Sequence, residues 1–127
     1  MNDIRERNLD YLAAKHAQEF IKKASGKDSE IENEVTKALG VLQENGMYAC
    51  FLYLQANKKG NSAPLIQKMR ELLTSLGITN DGQDALTFAQ NISADLHTLL
   101  LAREALEQML IYARYGAKAK RSADFSL

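Results

Sequence analysis

The sequence predicts an all-α protein, a compact bundle of five or six helices built around a long C-terminal helix. Three observations carry this. On a helical wheel of about 100° per residue, residues 93–120 sort into two arcs. Leu99, Leu101, Ala102, Ala105, Leu106, Met109, Leu110, Tyr112, Ala113 and Tyr115 fill about half the circumference, and His97, Arg103, Glu104, Glu107, Gln108, Arg114 and Lys118 fill the rest. The apolar residues elsewhere recur at three- and four-residue steps. Finally, the one run that reads equally as a buried strand, 47–55, has no second strand candidate to pair with, which decides for a helix.

The first helix covers about residues 4–24. Leu9, Leu12, Ala13, Ala17, Phe20, Ile21 and Ala24 form its apolar face, with His16 beside it as a flanking structural residue. Gly26 suits the left-handed closure of that helix, and Asp28 or Ser29 suits the cap of the next. The second helix, about 30–44, carries Ile31, Val35, Ala38, Leu39 and Leu42. Gly40 inside it costs up to about 1 kcal/mol relative to Ala, which suggests a kink or a close backbone approach. Asn45 and Gly46 make a junction with Asn45 as a cap, because no alternating strands flank them to make a hairpin.

The third helix, 47–55, is apolar nearly all round and should be buried. Lys58 and Lys59 suit a helix C-terminus, and Gly60 the closure after it. Ser62 reads as the cap of the fourth helix, and Pro64 sits in its first turn, where the missing N–H matters little. Leu65, Ile66, Met69, Leu72, Leu73 and Leu76 form its stripe, and Gly77 stops it. Residues 79–82 form a loop. A short fifth helix, about 83–91, turns Ala85, Leu86, Phe88 and Ala89 inward. Ser93 then caps the long sixth helix, whose broad apolar face requires several partner helices. Residues 1–119 are expected to form a single domain and 120–127 a frayed tail.

With 127 residues, 46% of them hydrophobic and 25% charged, the chain has the composition of one globular domain. Its 16 basic and 16 acidic residues balance, which argues against strong autonomous nucleic-acid binding. The single cysteine, Cys50, permits no internal disulfide and points to a reducing, cytoplasmic setting. Neither a signal peptide nor a membrane-length apolar run is evident.

No catalytic constellation stands out. One cysteine and two distant histidines cannot assemble a four-ligand zinc site, and the chain lacks a glycine-rich phosphate loop. Neither metal nor cofactor is therefore expected. Cys50 with His97 as base would make a cysteine hydrolase, but an apolar run around the thiol favours its inert form. The basic residues say more. Arg114 and Lys118 are four apart, hence neighbours on the polar arc. Arg103 and Arg121 extend that edge; Lys15, Lys22 and Lys23 lie on the first helix, and Lys58 and Lys59 end the third. Such a strip suits either ordinary solvation or the tracking of a phosphate backbone. Leu100 and Ile111, apolar within the polar arc, are either scattered surface residues or a contact with another chain.

Two blocks resemble a known family. One is Val41, Leu42, Gln43, Glu44, Asn45, Gly46 and Met47, followed by Ala49, Phe51, Leu52 and a distal Lys58. The other is Ala102, Arg103, Glu104, Ala105 and Leu106, followed by Ile111, Tyr112, Ala113, Arg114 and Tyr115. Ala17, Glu19, Ile21 and Ala24 add weaker support. These resemble the small, all-helical fifth subunit of the Cmr complex, the type III-B CRISPR RNA-guided effector. Ile111 stands where that pattern has Trp, and Met47 where it has Leu. The resemblance implies a non-catalytic scaffold that stacks, in several copies, beside CRISPR RNA and target RNA in antiviral defence and touches other Cmr subunits. Arg114 and Lys118 would then face phosphates, with Arg103 and Lys58 as further RNA-backbone candidates, and Leu100 and Ile111 would meet neighbouring subunits. The type III-A small subunit would share this role. A protein-only helical adaptor, with Leu100 and Ile111 against a partner helix, is the alternative from a different class.

Overall fold

The computed structural model describes residues 2–57, 60–78 and 84–121, with side chains from Asn8 to Lys120 within those spans. Among the described residues there are six α-helices and no strand: α1 (Asn2–Lys23), α2 (Asp28–Asn45), α3 (Met47–Ala56), α4 (Ser62–Ser75), α5 (Ala85–Ser93) and α6 (Leu96–Arg121). The expected fold class holds, including the helical reading of the 47–55 run.

α6 is the axis of the bundle. It packs most extensively against α2 and α1, and less against α4 and α5, while α3 is seated on α2, α4 and α5. The α2–α6 pair is antiparallel, because Arg103 meets Gln43 near one end and Lys120 meets Asp28 near the other. Ala102, Ala105, Leu106, Met109, Leu110, Ala113 and Ala117 are fully or almost fully buried along α6. The alanines let neighbouring backbones come close, and the larger side chains fill the space between. Close approach also explains Gly116, where an added Cβ would lie 3.3 Å from Ile21 Cγ1 on α1.

The stripes read from the sequence are buried much as expected, and the helix boundaries are where reading and structure part. Ser93 does not cap α6. It ends α5, with its hydroxyl donating to Ala89 O at 2.8 Å. Asp95 does the capping, accepting from His97 N at 3.2 Å and Thr98 Oγ1 at 2.7 Å. Neither Asp28 nor Ser29 caps α2; both lie within it, and Lys27 holds the cap position. Asn45 is the last residue of α2, and Gly46 (φ +94°) turns the chain into α3. Ser62 is the first residue of α4, not its cap. α6 runs to Arg121, so the first two residues expected in the tail are helical; 122–127 and the 79–82 loop lie outside the described residues.

Asn61, 3% exposed, immediately precedes α4, and its side chain is used across the fold instead of capping that helix. Its side-chain oxygen accepts from Ser25 N at 2.9 Å, and its amide donates to Ser25 O at 2.9 Å and Glu34 Oε1 at 2.8 Å. Its backbone N–H donates to Glu34 Oε2 at 2.7 Å. One residue thus fastens the α1–α2 and α3–α4 connections to α2. Gly60 beside it has φ +64°, a conformation in which glycine avoids the Cβ strain of other residues.

Two packing expectations need correction. α3 is not buried all round: Met47, Cys50, Phe51 and Leu54 face the core, while Tyr48 and Leu52, one turn apart, are exposed. Gly40 is no site of close approach, because a Cβ there would meet nothing within 4 Å; α2 continues through it.

Candidate nucleic-acid interface

Arg114 and Lys118 project from the part of α6 left open by the bundle. Lys118 is exposed and Arg114 is half-buried. Neither makes an ion pair among the described residues, so both cationic heads are available. Ile21 of α1 abuts Gly116, between these two residues in sequence. That contact brings the last turn of α1, with exposed Lys22 and Lys23, against the turn of α6 that carries Arg114 and Lys118.

Arg103 stands apart. It lies eleven residues before Arg114, about 16 Å along a helix, and its guanidinium donates to Gln43 O at 3.0 Å. That carbonyl lies in the last turn of α2, where backbone acceptors lose their helical partners. The structure therefore gives Arg103 a helix-end contact that the wheel did not reveal. Lys120, also missed as a contact, lies 3.9 Å from Asp28 in the first turn of α2, where helix dipoles favour both charges. Lys58 lies outside the described residues.

Leu100 is 56% exposed. Leu96, one turn earlier on the same face, is 68% exposed, so the open side of α6 is apolar at its start and cationic toward its end. Ile111 is different: it is half-buried and packs against the core of its own chain. Tyr115 departs from expectation in the other direction. Assigned to the buried arc, it is 60% exposed; at about 100° per residue it shares the angle of His97, with Gln108 between it and Leu101, so it belongs to the polar arc. Tyr112 is half-buried, and its hydroxyl donates to the Asp10 carboxylate, which holds the phenol above its ordinary pKa.

Cys50 is completely buried in α3, its thiol 3.4 Å from Ala38 O. Desolvation pushes its pKa up to about 12. His97 is exposed at the start of α6, and no hydrogen bond joins the two. They do not form a nucleophile–base pair.

A second polar cluster joins α1 to α4. Lys68 Nζ donates to Glu19 Oε1 at 3.1 Å and Glu71 Oε1 at 3.0 Å. Burial alone would lower the Lys68 pKa, but the two carboxylates outweigh it and hold the ammonium above its ordinary value. The hydrogen bond from Lys68 holds Glu19 below the usual carboxylate range. At Glu71, burial opposes the same effect but does not cancel it. His16 adjoins the cluster, 5% exposed, and opens onto a groove of about 550 Å³ lined also by Ile66, Gln67, Arg70 and Thr74. His16 and Glu19 are three apart on α1, and Lys68 and Glu71 three apart on α4. Those spacings were visible in the sequence; the meeting of the two pairs was not.

Among the described residues the chain is thus a six-helix, all-α bundle with an open, partly cationic helix face. Comparison with family models, with curated proteins and with solved structures finds no match. No helix among the described residues is long and apolar enough to cross a membrane.

Proposed function

We propose that this chain is a non-catalytic small subunit of a type III-B CRISPR (Cmr) RNA-guided effector, acting in the cytoplasm. Stacked copies would lie along the CRISPR RNA and its target, binding RNA backbone and neighbouring Cmr subunits. The observation that carries the reading is the pair Arg114 and Lys118: neighbours on α6, turned out of the core, with no ion-pair partner among the described residues. Lys22 and Lys23 close by extend the positive charge. The resemblance of the 41–52 and 102–115 blocks to the Cmr small subunit supplies the particular complex. A balanced overall charge fits a subunit whose weak RNA contacts are reinforced by its neighbours.

Leu96 and Leu100 on the same open face favour a second reading, a protein-only helical adaptor that lays this end of α6 against a partner helix. Ile111 contributes less to such a contact because its own core already covers much of it. Affinity purification from the native host separates the readings. The effector role predicts recovery of Cmr subunits with short guide RNA, sensitive to ribonuclease; recovery of a protein partner with no RNA favours the adaptor.

A further inference from the structure

We propose that His16, Glu19 and Glu71 form a binding site for one divalent transition-metal ion of the zinc class, which takes the place of the Lys68 ammonium. Ligand atoms of the three side chains lie within 4.8 Å of one another. A metal about 2.1 Å from each ligand brings such atoms to about 3–3.5 Å apart, a contraction within reach of modest side-chain rotation.

The histidine distinguishes this cluster from an ordinary group of surface acids. His16 is 95% buried by its 5% exposure. Its Nδ1 lies 2.8 Å from Leu12 O; a carbonyl only accepts, so Nδ1 carries the proton. The other ring nitrogen, Nε2, has no hydrogen-bond partner among the described residues, and in the neutral ring it carries the lone pair that a metal would take. A ring nitrogen fixed by a backbone carbonyl is the usual orienting arrangement of a metal-bound histidine. One imidazole with two carboxylates suits a first-row divalent ion, and three protein ligands leave coordination positions for water. The groove beside His16, Gln67 and Thr74 gives a path of entry.

Lys68 marks where positive charge is held. Its ammonium is the cation the structure shows between the carboxylates, using Oε1 of each. Four rotatable carbons let it swing into the groove when a doubly charged ion arrives. Arg70, at the groove wall, has its guanidinium carbon 5.4 Å from the Phe88 ring centroid, drawn toward α5.

Titration of the untagged full-length chain with ZnCl₂ by calorimetry, and with CoCl₂ by visible absorption, tests the site. Saturable 1:1 binding is expected. Lys68→Met should tighten it at least tenfold, because no ammonium must be displaced. Glu19→Gln, Glu71→Gln and His16→Asn should each weaken it at least tenfold, whereas His97→Ala should leave it unchanged. Circular dichroism establishes that each variant is folded; the half-exposed Glu71 makes its variant decisive should His16→Asn misfold. Absence of saturable binding by both wild type and Lys68→Met at millimolar metal overturns the proposal. So does binding that Lys68→Met fails to tighten, or that is lost in His97→Ala.

Discussion

Lys68 of α4 and Glu19 of α1, 49 residues apart in the chain, meet at 3.1 Å and tie the two helices together. Glu71 completes the bridge from the far side of the ammonium. The stability this bridge contributes depends on pH in two directions. Glu19 and Glu71 have folded pKa values below the ordinary 4.5, so their contribution is present above about pH 4.5 and lost as pH falls through the lower folded values. Lys68 is raised above 10.5, so its share is present below that pH and lost as pH rises through the folded value. Both carboxylates are partly solvated, which limits each pair to about 1 kcal/mol or less. Thermal unfolding followed from pH 7 to pH 3 should show a shallower decline in Lys68→Met than in wild type. Equal slopes would remove the bridge from the account.

Two glycines in this chain predict opposite outcomes. At Gly60, an added Cβ would lie 2.0 Å from Glu34 Oε2, and Glu34 is held in place by Asn61. The backbone there is left-handed, which alone costs a residue with a Cβ about 1–2 kcal/mol. Gly60→Ala should therefore destabilise by about 2 kcal/mol or more in urea unfolding. At Gly40 the added methyl meets nothing within 4 Å, inside a continuous helix. Gly40→Ala should stabilise by up to about 1 kcal/mol.

Cys50 should behave as a core residue. With complete burial and a thiol pKa near 12, it should react with iodoacetamide at pH 8 at least a hundredfold more slowly than in urea-unfolded chain, because reaction awaits opening of α3. A folded-state rate close to the unfolded one would reopen the nucleophile reading.

The helical stripes were legible because each is a local consequence of 3.6-residue periodicity and burial: Val35, Leu42, Met69, Leu106 and Met109 are buried as the spacing requires. The caps were harder to read. Ser93 and Asp95 are both good capping residues two positions apart, and only the path of the chain from α5 decides between them. Asn61 beside Ser62 posed the same choice, and its side chain went to Ser25 and Glu34 across the fold. Tyr115, five full turns after His97, falls on the polar side of the wheel, and its exposure follows from the same periodicity. Of the candidate site, Arg114 and Lys118 followed from their i,i+4 spacing. Arg103's contact with Gln43, and the joining of His16 and Glu19 to Lys68 and Glu71, depend on which helices become neighbours, which local spacing does not encode.

The open face of α6 also carries Leu96 and Leu100, five turns or so from Lys118. If that end meets a neighbouring subunit, Leu96→Asp with Leu100→Asp should abolish co-purification of protein partners while leaving the melting temperature within a few degrees of wild type, since both side chains are largely solvated already. Retained partners would move the contact elsewhere on the surface.

The most direct test of the account is RNA retention by the Arg114→Glu, Lys118→Glu double variant. Fluorescence anisotropy with a labelled single-stranded RNA at low salt should detect weak, sequence-independent binding by the wild-type chain that declines with added salt. The double variant should keep the wild-type helical spectrum and bind at least tenfold more weakly. A correctly folded double variant with undiminished RNA binding would contradict the phosphate-facing role of α6.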